Sequence, residues 1–77
     1  MSNVEHERMA LLLCQLQLGW QVEAPVIERV VFTGPHGLAS AFEFVLRNEH
    51  TCQVIAVPNC DEIQHFLRER TLAVVAL

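Results

Sequence analysis

The chain has 77 residues, of which 52% are hydrophobic, and nine acidic against five basic residues give it a net charge of −4. A domain of this size buries only roughly 60–65% of the surface its unfolded chain exposes. Part of its apolar area must therefore lie on a surface of the kind that marks interaction sites. The basic residues Arg8, Arg29, Arg47, Arg68 and Arg70 are scattered and there is no lysine, which disfavours nucleic acid and anionic membranes, since both want a clustered positive footprint.

The first predicted element is a helix from about Asn3 to Leu18. Ser2 and Glu5 stand at capping-box spacing, Glu5 and Glu7 suit the positive end of the helix dipole, and Gly19 followed by Trp20 reads as a left-handed stop. The helix is apolar on two sides. Met9, Leu12, Leu13 and Leu16 form the stripe expected to face the core, and Val4, Leu11 and Leu18 form a second, nearly opposite, with Cys14 beside it. A helix with two apolar sides is sandwiched between two layers, and in so short a chain the second layer is expected to come from another subunit, the alternative being that the chain's own sheet wraps around the helix.

Residues 20–32 alternate as a half-buried strand, with Trp20, Val22, Ala24, Val26, Val30 and Phe32 on one parity and Glu28 interrupting it. Pro25 donates no ladder hydrogen bond, so the strand bends there or lies at an edge. Glu28 is expected at a solvated strand end, paired with Arg29 or Arg47, because burying an unpaired carboxylate is costly. The TGPHG segment, Thr33 to Gly37, is turn chemistry that lacks the spacing of a phosphate loop. Residues 38–47 tolerate helix at Ala39-Ser40-Ala41, but Phe42, Phe44 and Leu46 alternate with Glu43 and Arg47 and predict a strand. Asn48-Glu49-His50 makes a turn into Thr51–Val57, which is rich in β-formers and ends at Pro58. Asn59 is expected to cap a second helix, about Cys60 to Arg70. Its apolar stripe is Ile63, Phe66 and Leu67, with Asp61 and Glu62 in the first turn and Arg68 and Arg70 in the last. Thr71 to Leu77 is too apolar for a free tail and reads as a fourth strand, either in its own sheet after a crossover or paired with a second chain.

Few residues offer chemistry. Cys60, at a helix start where thiols become reactive, has His65 five residues on, a possible nucleophile and base without an orienting third group. His50, Cys52, Cys60 and His65 supply enough nitrogen and sulfur for zinc, but at spacings unlike the usual paired knuckles. Asp61–His65 and His65–Glu69 are simplest as exposed helix pairs at i, i+4. Three cysteines (Cys14, Cys52, Cys60) without CxxC spacing argue against a disulfide framework and fit a reducing compartment. Glu5 and Glu7 stand where a secretory leader is positive, and no apolar run reaches bilayer length.

These observations predict a single α+β domain over residues 1–77, in the order α-β-β-β-α with a possible fourth strand and a mainly antiparallel sheet packed by helices. The expected core is Met9, Leu12, Leu13, Leu16, Trp20, Val30, Phe42, Phe44, Leu46, Ile55, Ile63, Phe66 and Leu67. The leading functional expectation is a non-enzymatic, cytoplasmic protein-interaction module, homodimeric, without cofactor or metal, and with an interface among Val4, Leu11, Leu18, Leu72, Val74 and Leu77. One rival is a thiol- or metal-dependent site centred on Cys60 and His65. Another is nucleic-acid binding on the α-β-β-β-α scaffold. Double-stranded-RNA-binding domains share that order of elements, but order alone says little about function, and the basic cluster is missing.

Overall fold

Helix α1 (Val4–Gln17) ends where glycine permits it. Gly19 takes φ 101°, its N–H donates to the Leu16 carbonyl at 3.2 Å, and the Trp20 N–H reaches back to the Gln15 carbonyl at 3.1 Å. This pair of bonds satisfies carbonyls that the helix leaves orphaned and turns the chain into the first strand. The computed structural model describes the backbone of residues 4–32 and 38–77, and side chains over 6–30 and 39–77. The expected TGPHG turn, with His36, lies outside the described residues. The remaining elements are β1 (Gln21–Phe32), β2 (Leu38–Asn48), β3 (Thr51–Pro58), α2 (Asp61–Glu69) and β4 (Val74–Ala76). Residues 38–47, ambiguous in sequence, are strand.

The four strands form one sheet in the order β3-β2-β1-β4. The β1–β2 and β2–β3 pairs are antiparallel, and β4 runs parallel to β1. The C-terminal segment therefore pairs within its own chain. The β3–α2–β4 connection passes over β2 and β1 to reach the far edge, so α2 lies across the middle of the sheet. Between Glu23 and Ile27 the ladder slips: β1 takes four steps while β2 takes two, from Val45 to Glu43. Pro25 sits in this bulge, where its missing N–H costs no ladder bond.

Both helices cover the same sheet face. The described core is Met9 and Leu12 from α1, Ile63, Phe66 and Leu67 from α2, Val26 from β1, Phe42, Phe44 and Leu46 from β2, and Ile55 and Val57 from β3. Strand residues of the other parity, such as Val54 and Ala56, are exposed, and among the described residues no helix lies on their face. Phe44 meets Phe66 edge-on, with ring centroids 5.9 Å apart at 73°, an arrangement that adds about 0.5–1.5 kcal/mol beyond area burial.

Four expectations are corrected. Val30, expected in the core, is 60% exposed: it pairs with Ser40 beyond the last contacts of both β3 and β4, where the β1–β2 ribbon has no helix to bury against. Leu13 is 39% exposed, because the buried arc of α1 centres on Met9, Leu12 and Leu16 and leaves Leu13 at its flank. Asn59 does not cap α2. The cap position is Cys60, with no side-chain cap bond, while the Asn59 amide donates to Ser40 Oγ at 2.9 Å and its carbonyl oxygen accepts from Gln64 Nε2 at 2.9 Å. Glu28 pairs with neither arginine: Arg29 binds Glu43 and Arg47 binds Glu23, each at 2.9 Å. Those pairs stand on the open sheet face, whereas Glu28 is half-buried on the helix side, in register with Phe42 and Ala76.

Candidate interaction surface

The residues expected to carry chemistry are dispersed. Cys60 is half-buried at the start of α2, next to the core. His65 is exposed, with Nε2 3.5 Å from Glu69 Oε1 on the solvent side of the same helix. Cys14 and Cys52 are exposed, and His50 occupies the exposed β2–β3 turn. Among the described residues no three His, Cys, Asp or Glu side chains converge on a metal-sized space. The Arg47 guanidinium is held above its ordinary value by its hydrogen bond to Glu23.

Two shallow grooves open beside the core. One, of about 540 Å³, lies between the C-terminal end of α1 and the start of β1, and is lined by Leu13, Leu16, Trp20, Val22, Arg70 and Leu72. The other, of about 610 Å³, lies under the C-terminal half of α2, with Phe42, Leu67, Val74, Glu28, Gln64 and Arg68 in its walls. Leu72 borders both and packs against the core cluster. One of the candidate interface residues, it is half-buried and closes the passage from α2 into β4.

Of the other residues expected at an interface, Val74 on β4 and Leu77 just after it are exposed, and Leu11 on α1 and Leu18 just past its end are 40% and 65% exposed. The side chain of Val4 lies outside the described residues. The α1 stripe faces a definite direction. Gln53 Nε2 of β3 donates to Gln15 Oε1 of α1 at 3.1 Å, and Leu11 and Leu18 stand four residues before and three after Gln15, its neighbours on the helix surface. The exposed leucines therefore flank the contact between α1 and β3, at one border of the sheet.

The backbone phase of each edge strand follows from the ladders. On one side the Val26 N–H donates to the Ala73 carbonyl at 2.9 Å, and the Leu77 N–H to the Glu28 carbonyl at 3.0 Å. Residues 73, 75 and 77 thus turn their polar groups to β1, and Val74 and Ala76 turn theirs outward. On the other side, Asn48 and Thr51 close a two-residue turn and Phe44 faces Ile55. Residues 51, 53, 55 and 57 bond β2, so Cys52, Val54 and Ala56 present N–H and C=O groups at the edge that have no partner among the described residues. Pro58 falls in the same outward set and ends it. Sequence reasoning overlooked β3 as an edge because a hairpin partner gives no sign of whether another strand lies beyond it. The signal available was eight consecutive uncharged residues, Thr51–Pro58.

No helix among the described residues is long and apolar enough to cross a membrane. Comparison with family models, with curated proteins and with solved structures finds nothing that matches this chain.

Proposed function

We propose that this chain is a non-enzymatic protein-interaction module of the cytoplasm that works as a homodimer. The observation that carries this reading is the placement of its surplus apolar side chains. Leu11 on α1 and Leu18 just past its end, Val54 on β3, and Val74 and Val75 on β4 with Leu77 just after it all stand exposed in the single chain. Aliphatic side chains gathered at the borders of a sheet, next to unpaired backbone groups, favour association. Sedimentation equilibrium from about 1 to 100 µM, the range in which modest interfaces assemble, tests it. The expected mass is twice the 8.7 kDa of one chain. A single 8.7 kDa species throughout overturns the reading.

A further inference from the structure

We infer that the dimer forms through β3, antiparallel to the β3 of a second copy with the two Val54 residues facing each other, and that the two α1 helices pack across the same axis. This rests on the homodimer reading and names the surface that serves it.

The first ground is self-complementarity. Pro58 also faces outward but has no N–H to donate, so the outward residues of β3 that can both donate and accept are Cys52, Val54 and Ala56, centred on Val54. A two-fold axis at Val54 places Cys52 opposite the partner's Ala56, Val54 opposite the partner's Val54, and Ala56 opposite the partner's Cys52. All three are hydrogen-bonded pairs, which exchange both of their bonds in an antiparallel ladder. No N–H or C=O of these three residues is left over, and the two Val54 side chains, each 61% exposed in the single chain, become a β-branched cross-strand pair on the open face of the sheet. The result is a continuous eight-stranded sheet.

The second ground is charge. Two copies that each carry −4 repel, so they meet most readily where neither presents a charge. The whole of Thr51–Pro58 is uncharged, whereas the open face further in carries the Arg29–Glu43 and Arg47–Glu23 pairs.

The third ground is area. A stable interface takes about 800 Å² and 20–30 residues from each partner. The eight residues of β3 fall short alone. The 14-residue helix α1 lies against the same border, with Leu11 and Leu18 exposed on either side of the Gln15–Gln53 contact. The axis brings the two helices together antiparallel, Leu11 against the partner's Leu18, and adds apolar contact to that of β3. The second stripe of α1 thereby acquires the layer that its composition calls for.

Two measurements decide the matter. In a chain with Cys14, Cys52 and Cys60 replaced by serine, Val54→Cys should be joined to itself by a short bismaleimide, because residues in a hydrogen-bonded pair are about 5.5 Å apart at Cα. Val75→Cys in the same background should not be. In the otherwise unaltered chain, Val54→Pro removes an N–H that β2 does not use. It should weaken the dimer by about 100-fold through two lost interchain bonds and their stranded partners, leaving the circular dichroism of the monomer unchanged, and Ala76→Pro should leave the mass at that of the dimer. A native dimer that Val54→Pro does not weaken, or that cross-links at Val75→Cys instead, overturns the β3 interface while the homodimer reading stands. A native chain that is monomeric throughout overturns both.

Discussion

The two borders of the sheet differ in how each is held and in what each offers. β3 pairs with β2 along all eight of its residues, sends Ile55 and Val57 into the core, and has α1 against it. β4 pairs with β1 over three residues, all of them exposed. A short edge strand is one of the devices by which proteins blunt an edge, and β4 fits that description. β3 is long, uncharged and backed by a leucine-bearing helix, and only Pro58 at its end limits it. Apolar composition is thus similar at the two borders, and the difference lies in anchoring. A well-anchored strand presents its free groups in fixed register, and a loosely anchored one does not.

The contrast is open to test. Ile55→Ala should cost about 2–5 kcal/mol of folding stability, because it empties a site in the packed core. Val75→Ala, at a half-exposed position, should cost less than about 1 kcal/mol. Urea denaturation of the two variants measures the difference, and equal losses would break the comparison. Introducing charge at Leu11 should weaken association by about tenfold or more without unfolding the monomer. The same change at Leu13, which faces the groove beside Trp20 and not β3, should leave the mass unaltered; sedimentation of Leu11→Glu against Leu13→Glu reads this out. Native-state hydrogen exchange should show the Val75 and Leu77 amides exchanging through local opening well before those of Ile55 and Val57.

The smallest effects concern the turns that feed the two edges. Glu49, before β3, and Thr71, before β4, sit at φ 57° and 54°, in the left-handed region that glycine enters freely. Glycine at either position should raise stability by about 0.5–1 kcal/mol after its own entropic cost. The gain should be larger at Thr71, since a β-branched residue tolerates that region worst. A thermal melt showing a loss at Thr71→Gly would mean that the side chain supports the turn.

Much of the fold was legible in the chain itself. The spacing of Ile63, Phe66 and Leu67, the alternation of Phe42, Phe44 and Leu46, and the stop at Gly19 each depend on neighbours within a few residues, where periodicity and backbone sterics act. Val57 and Val26 belong to the core as well. Neither was in the expected core: Val57 abuts a strand-ending proline, and Val26, although on the apolar parity of its strand, lies inside the bulge beside Pro25.

The sequence by itself pointed to both helices, to the strands with residues 38–47 ambiguous and the last one only possible, to the two-sided character of α1 and to the apolar surplus, because those are properties of local spacing and composition. Tertiary structure decided that Val30 and Leu13 stay in solvent, that Glu28 turns toward the helices, and that the last strand pairs with β1 inside its own chain. It also decided which strands are edges and which of their backbone groups point outward. Those outcomes depend on what lies across a ladder or above a face, and such neighbours are set by pairing order between segments far apart in the chain, which no local pattern encodes.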